Sequence, residues 1–123
     1  MSESHWSAPD EPEEILRSMH TAPYAVVVHR AGVILATNAA FAELFALPRA
    51  EDAVGRHVLD FVAPEARARV AAMITDAPTA VVEYDCLRAD GQPVIVCGEG
   101  LPIDFDGVPS RLTVLTPVIR EGA

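Results

Sequence analysis

Basic residues are scarce in this chain of 123 residues. Lysine is absent, and nine arginines stand against eighteen aspartates and glutamates, which gives a formal net charge of -9 and a sequence pI of about 4.7. The sequence also has no run of basic residues. Because proteins that bind nucleic acid neutralise its phosphates with lysine and arginine, we expect neither nucleic acid nor an anionic membrane as a partner.

Long apolar runs are missing as well. No segment approaches the roughly 20 apolar residues that a transmembrane helix needs. The first six residues lack the basic and apolar regions of a signal peptide. We therefore expect a cytoplasmic protein without membrane insertion.

Cysteine is rare, and its two copies, Cys86 and Cys97, are far from any metal-binding motif. The sequence contains no C-x-x-C pair and no Cys/His cluster, so we predict no metal site. A cytosolic setting disfavours disulfides. Both cysteines are therefore predicted to be small apolar residues.

The acidic residues are concentrated at the start of the chain. Residues 1–14 hold five acids and no arginine, whereas half of all residues in the chain are apolar, enough for the core of one domain. We therefore predict an acidic N-terminal segment, residues 1–20, followed by one domain, residues 21–120.

A short amphipathic helix is predicted within the N-terminal segment. Asp10 and Glu13 have the spacing of a capping box. Ile15, Leu16 and Met19 then form one narrow apolar stripe. A helix this short needs packing to persist, so another surface must cover this stripe.

Five runs have the composition of β-strands: residues 24–29, 33–37, 82–86, 94–101 and 111–119. Between the second and third runs, Asn38 is typical of a helix N-cap and Pro64 of the first turn of a further helix. This order predicts an α+β domain in which helices are inserted between strands 2 and 3 of an antiparallel sheet.

Two of the predicted strands are apolar on both faces, at residues 25–28 and 94–97. Antiparallel strands show this pattern when both faces of the sheet are covered. The inserted helices can cover only one face. The other face must pack on the N-terminal helix, on a second copy of the chain or on another domain.

Residues 16–119 resemble a PAS domain. The residues that carry the resemblance are Pro23–Val28 with Gly32, Thr37–Phe41 with Leu44 and Phe45, Gly55 with Arg56, and Arg88–Gly91. The resemblance implies the strand order 2-1-5-4-3 and a small cavity between the inserted helices and the inner face of the sheet. It also implies a sensory or interaction module of a bacterial signalling protein, such as a two-component system.

PAS domains carry flavin, heme, other small ligands or none. In the photoactive flavin subclass, a reactive cysteine stands at the position of Val58. In the same subclass, two asparagines and a glutamine that form hydrogen bonds to the flavin ring stand at the positions of Cys86, Val96 and Thr116. Because the polar edge of a flavin would lose its hydrogen bonds here, at a cost of about 1–3 kcal/mol each, flavin is disfavoured.

Heme is disfavoured on a similar comparison. In the best-known heme subclass, the histidine that binds iron stands at the position of Ala71. His57, in the preceding loop, is left as an alternative axial ligand, although a histidine without a second ligand is more often a surface residue.

The predicted inner face and the inserted helices would line a mostly apolar ligand pocket. Its predicted residues are Phe41, Phe45, Val58, Met73, Tyr84, Cys86, Val96, Gly98, Val114 and Thr116. Gly98 and Gly100 remove side-chain volume from strand 4, which leaves room for a ligand. Alternatively, the two glycines permit a bulge or the close approach of another segment.

No nucleophile paired with a base is predicted in this pocket, so we expect no enzymatic activity. The predicted docking or dimer residues are Ile15, Leu16, Met19, Ile95 and Leu115. We expect a module that senses an unidentified small ligand or forms a homodimer, with an effector domain or signalling protein as partner. The alternative is a purely structural association domain whose own side chains fill the pocket.

Overall fold

The computed structural model of the chain describes residues 12–76 and 81–119. Within these ranges the regular elements are the helices α1 (Pro12–Ser18), α2 (Ala39–Leu44) and α3 (Arg67–Asp76), and the strands β1 (Ala25–Arg30), β2 (Val33–Thr37), β3 (Val82–Leu87), β4 (Pro93–Phe105) and β5 (Val108–Pro117). Short 3-10 turns cover Met19–Thr21, Ala50–Ala53, Val58–Phe61 and Pro64–Ala66. Of the helices in these ranges, none has the length and apolar character that crossing a bilayer requires.

The strands form one antiparallel sheet in the order β2-β1-β5-β4-β3. This order and the α+β class were predicted and are confirmed. Helices α2 and α3 both lie between β2 and β3 in the chain, as predicted. The predicted capping box at Asp10 lies outside the described residues.

The hairpin of β4 and β5 decides which side chains of β5 face the helices. Asp106 and Gly107 form its turn, and both have a positive φ (53° and 78°), as a two-residue type I′ turn requires. From this turn the pairing runs without a shift to the end of β5, which places Leu115 opposite Gly98. Because side chains alternate along a strand, Leu115 and Gly98 lie on the same face of the sheet.

The inner face of the sheet, which faces α2 and α3, carries the larger hydrophobic cluster. Its buried members are Ala25, Val27, Ile34, Phe41, Phe45, Ala53, Phe61, Cys86, Val96 and Leu115. Burying each large apolar side chain of this kind contributes roughly 1.5–3 kcal/mol to stability.

The outer face of the sheet is covered by α1 and the turn that follows it. Ile15 and Met19 are only 1% and 2% exposed, and they pack in a second cluster. The other buried members of this cluster are Val26, Val28, Ile103, Leu112 and Val114. The chain's own N-terminal helix therefore supplies the cover that the two-sided apolar strands require.

Asn38, the only asparagine in the sequence, joins the elements on the two sides of the sheet. Its side chain is buried, and its Oδ1 accepts hydrogen bonds from the backbone N–H groups of Val26 (3.2 Å) and Phe41 (3.1 Å). Its Nδ2 donates to the carbonyl oxygens of Met19 (2.7 Å) and Tyr24 (3.0 Å). The amide thus uses both donors and both acceptor positions, and it fixes α2 to β1 and to the end of the α1 segment.

Candidate ligand cavity

A cavity of about 90 Å³ lies between the inner face of the sheet and the helical segments that cover it. The helical side contributes Phe41, Phe45, Val58, Phe61, Val62, Val70, Met73 and Ile74. The sheet contributes Val27, His29, Tyr84, Cys86, Val96, Arg111, Thr113 and Leu115. The cavity is therefore largely apolar, with a few polar groups that all come from the sheet.

Three phenylalanine rings form one wall of the cavity. Phe41 and Phe45 lie one turn apart, at α2 and its C-cap, with ring centroids 4.7 Å apart. Phe61, from a 3-10 turn, lies 5.4 Å from Phe41 in an edge-to-face arrangement and 5.2 Å from Phe45. The guanidinium of Arg56 lies 4.7 Å from the centroid of Phe61. Such mutual contacts hold the rings in fixed orientations.

The two glycines of β4 make room for two large side chains of the neighbouring strands. A Cβ atom at Gly98 would lie 2.7 Å from the ring of Tyr84, and one at Gly100 would lie 2.6 Å from Nε of Arg111. Real Cβ atoms do not approach other atoms this closely. The close approach of the side chains of Tyr84 and Arg111 therefore accounts for both glycines.

His29 is a buried histidine on the sheet side of the cavity, 7% exposed. Its Nδ1 accepts a hydrogen bond from the backbone N–H of Gly32 (3.2 Å). Burial, with the nearby positive charge of Arg111 and the ring of His57, lowers the pKa of His29 to about 4. The ring is therefore neutral near pH 7, and its proton is on Nε2.

We expect the free energy of unfolding to fall by about 3 kcal/mol through His29 alone as the pH is lowered from about 6.5 to about 4. Between these values the unfolded chain binds a proton at His29 and the folded chain does not, so acid favours unfolding. Urea unfolding of the wild type and of His29→Gln, at pH 7.5 and pH 4.5, measures this contribution as the difference in pH dependence.

His20 is the matched control for this experiment because it is an exposed histidine of the same chain. We expect the free energy of unfolding of His20→Gln to change between the two pH values by the same amount as that of the wild type. If His29→Gln also keeps it in full, His29 is not held neutral in the folded protein.

Two further titratable groups of the cavity, Tyr84 and Cys86, are held in their neutral forms near pH 7. Burial, helped by the charge of Asp85, raises the pKa of the Cys86 thiol to about 12. Burial also raises the pKa of Tyr84. The thiolate is the nucleophilic form of cysteine, so a thiol in this state is a poor nucleophile at neutral pH. Within residues 12–76 and 81–119, no group of His, Cys, Asp and Glu side chains has the arrangement of a metal site.

Most of the predicted pocket residues lie at the cavity. The structure places Phe41, Phe45, Val58, Met73, Tyr84, Cys86 and Val96 in its wall. They come from α2 and its C-cap, the 3-10 turn Val58–Phe61, α3, β3 and β4, so residues that are distant in sequence meet at one cavity.

Three predicted pocket residues lie elsewhere. The ring of Tyr84 covers Gly98, and Val114 belongs to the outer cluster beneath α1. Thr116 pairs with Cys97, one position away from the inward pair of Gly98 and Leu115, and so lies on the outer face. The placement of Val114 and Thr116 at the pocket is wrong because the two-residue turn before β5 turns the odd-numbered residues inward.

The same register brings to the cavity residues that were not predicted there. Arg111, Thr113 and Leu115 line it from β5, and Val27 and His29 line it from the paired positions of β1. The signal was present in the sequence. Counting back from Asp106-Gly107 through one-to-one pairs places Leu115 opposite Gly98 and hence on its face.

The predicted docking residues have mixed positions. Ile15 and Met19 are buried against the chain's own sheet, so they are not free to contact a second copy. Leu115 lies in the inner cluster, which corrects its prediction as a docking residue. Leu16 and Ile95 are half-buried.

His57 lies outside the wall of the cavity. Its Nδ1 accepts a hydrogen bond from the backbone N–H of Leu59 (3.1 Å), and its ring packs on Gly32. Both contacts fix it as the N-cap of the 3-10 turn Val58–Phe61.

Comparison with family models matches residues 10–108 to the PAS fold. A search of curated proteins returns no match. Among solved structures, the PAS domain of an HTR-like protein from Haloarcula marismortui is similar, with a TM-score of 0.72 and 17% identity over 86% of this chain and 90% of that one.

Two further structures share the fold. A PAS domain from Desulfitobacterium hafniense has a TM-score of 0.73 and 11% identity over 83% of this chain and 99% of that one. The PAS domain of a LuxR-family transcriptional regulator from Burkholderia thailandensis, in complex with ethanol, has a TM-score of 0.70 and 19% identity, covering 84% and 96%. The family model spans most of the sequence, and the chain therefore belongs to the PAS family of sensory and signalling domains.

Proposed function

We propose that this PAS domain is a non-catalytic sensory module that binds a small, mostly apolar molecule in the cavity and transmits its occupancy to α1. The observation that carries the proposal is the space of about 90 Å³ that remains beside three packed phenylalanine rings. Well-packed cores contain few voids larger than a water molecule, so a space of this size is available for a ligand.

The size of the cavity supports a ligand of few atoms. One water molecule needs roughly 10–15 Å³ on this scale, whereas pockets for drug-sized ligands have about 300–1,000 Å³. The cavity of about 90 Å³ is therefore suited to a molecule of a few carbon atoms. The complex of the Burkholderia thailandensis PAS domain with ethanol supports a ligand of this scale in the family.

The residues of the cavity do not fit a flavin or a heme. Val58 offers no thiol for a flavin adduct, and Cys86 and Val96 offer no amide for the polar edge of its ring. His29 has Nδ1 engaged with Gly32 and its proton on Nε2, so neither nitrogen is ready to bind iron. These features support the proposal that the module works with neither cofactor.

A path from the cavity to the outer face supports the proposed transmission. Phe41 and Phe45 border the cavity at α2, and Asn38 caps α2 while it donates to the carbonyl oxygen of Met19. A ligand that shifts α2 would therefore change the bonds that hold the end of the α1 segment. The side chain of Asn38 would thus couple the occupancy of the cavity to the packing of α1, as an allosteric mechanism requires.

We expect 1-butanol, used as a probe, to bind in the cavity at millimolar concentrations. Titration followed by methyl NMR should give saturable shifts at Val27, Val96 and Leu115, which line the cavity. The methyl groups of Val26 and Val28 point to the outer face and should shift much less. Equal or non-saturable shifts on both faces would contradict the proposal.

A variant that fills the cavity tests the location of the probe. Val96→Phe adds a ring at the floor of the cavity, so we expect it to weaken 1-butanol binding at least about tenfold, with about 1–3 kcal/mol of destabilisation from overpacking. Val33→Phe, at a position that is 42% exposed, is the matched control and should bind the probe as the wild type does.

Homodimer formation and an effector partner stay predictions. Among the predicted docking residues, the buried positions of Ile15 and Met19 favour a role within one chain. Leu16 and Ile95, which are half-buried, are the members of that set with surface left for a second copy or for a signalling partner.

A further inference from the structure

The polar side chains of the cavity lie next to one another on β1 and β5. His29 is the antiparallel partner of Arg111, and Thr113 is two residues further along β5 on the same face. Among the described residues that line the cavity, Arg111 alone carries a full charge near pH 7, and none is acidic. One region of an otherwise apolar cavity is therefore positive.

Gly100 determines where the charge of Arg111 lies. A Cβ atom at position 100 would come within 2.6 Å of both Nε and Nη2, so the guanidinium lies against the strand in the space that the missing side chain leaves. This position keeps the cation at the wall of the cavity. Arginine holds its charge, and its five N–H donors form a planar fork that can serve more than one acceptor.

The surroundings of Arg111 suit an anion. Burial lowers the pKa of Arg111, with a smaller opposite effect from Tyr84, and a negative group beside the guanidinium would favour its charged form. The Thr113 hydroxyl and the Nε2–H of His29 are further hydrogen-bond donors at the same end of the sheet. A carboxylate is the small anion whose two oxygens match the arginine fork.

We infer that the cavity binds short-chain monocarboxylate anions, with Arg111 as the anion-binding group and the phenylalanine wall around the hydrocarbon chain. The inference rests on the proposed function, because it assigns a ligand class to the same cavity. The volume of about 90 Å³ limits the chain to about three to five carbons. A dicarboxylate would place its second charge against apolar side chains, so the cavity disfavours it.

The test compares butyrate with 1-butanol, which has the same carbon chain and no charge, by methyl NMR titration at pH 7. We expect butyrate to bind the wild type about ten- to a hundredfold more tightly than 1-butanol, because a hydrogen bond to a charged partner is among the stronger ones. Arg111→Met should abolish this preference and retain 1-butanol binding. Arg111→Lys keeps a charge without the fork and should retain part of the preference.

Arg30 provides the matched control. It lies next to His29 on β1, and its guanidinium donates to Ser110 Oγ (3.0 Å) and to the carbonyl oxygen of Phe105 (3.3 Å), outside the cavity wall. Arg30→Met removes the same charge from the same sheet and should leave the preference for butyrate unchanged. If it abolishes the preference as well, long-range charge attracts the anion and the assignment of Arg111 is overturned.

The remaining outcomes separate the inference from the proposed function. If 1-butanol binds as tightly as butyrate, or if the preference survives Arg111→Met in a protein with wild-type NMR dispersion, the ligand class is wrong and the apolar cavity stands as a binding site. If neither probe shifts the cavity methyl groups at saturating millimolar concentrations, both proposals fail.

Discussion

Replacing Asn38 with alanine is expected to lower the free energy of unfolding by about 4 kcal/mol, a large part of the 5–15 kcal/mol that typically holds a domain together. The substitution removes four hydrogen bonds at once, of which three are buried and one is partly buried. It also leaves the carbonyl oxygens of Met19 and Tyr24 without this donor, and buried groups that lose a partner cost about 1–3 kcal/mol each. Urea unfolding followed by far-UV circular dichroism measures the change.

Two variants sharpen this prediction. Asn38→Asp keeps the acceptors for the N–H groups of Val26 and Phe41. It also buries a charge and faces the carbonyl oxygens of Met19 and Tyr24 with an acceptor, so we expect a loss in stability at least as large as that of alanine. Thr21→Ala removes an exposed hydrogen bond to Ser18 and should change stability by less than about 0.5 kcal/mol. A loss below about 1 kcal/mol for Asn38→Ala would show that the amide does not join the two sides of the sheet.

Replacing Ile15 with glutamate is expected to detach α1 and to lower the free energy of unfolding by about 3–5 kcal/mol. Ile15 is 1% exposed, so the variant loses the buried apolar side chain and must bring a carboxylate out of the core. Because α1 then leaves the sheet, the methyl resonances of Val26, Val28 and Val114 should shift strongly. Those of the cavity residue Val96 should shift less.

The same substitution at an exposed isoleucine controls for the added charge. Ile119 is 86% exposed, and Ile119→Glu should change the free energy of unfolding by no more than about 0.5 kcal/mol. If Ile15→Glu is equally harmless, α1 contributes little to the fold, and the proposed transmission from the cavity to α1 loses its structural basis.

The elements of the fold could be predicted because their signals are local. Alternating or two-sided apolar runs predicted the strands, and Asn38 predicted the N-cap of α2. Seven pocket residues followed from these elements together with the PAS resemblance. Phe41 and Phe45, for example, are four positions apart, and this spacing places two side chains on the same face of a helix.

The sequence of β5 alone does not determine which of its side chains point to the inner face of the sheet. The strand is apolar at Leu112, Val114 and Leu115, so both alternations fit its composition. Pairing across the hairpin decides between them, and a shift of one residue moves every side chain to the other face. Because the register was misjudged by one residue, Val114 and Thr116 were predicted to line the pocket in place of Leu115.

Arg111 was missed for a second reason, besides the register of β5. Charged residues are seldom buried, so an arginine in a strand is normally expected at the surface. Here its inward position depends on a glycine eleven positions earlier in the sequence, on the neighbouring strand. The bonds of Asn38 to Met19 and Tyr24 likewise depend on how α1 packs, which the N-cap pattern does not contain.

The two glycines of β4 have a consequence for how domains of this kind diverge. Gly98 and Gly100 do not line the cavity, yet the absence of their side chains decides where the ring of Tyr84 and the guanidinium of Arg111 lie. An alanine at position 100 would displace the guanidinium while every residue of the cavity wall kept its identity. The position of the positive charge beside the cavity can thus change, over few evolutionary steps, through a backbone position that comparison of wall residues alone would overlook.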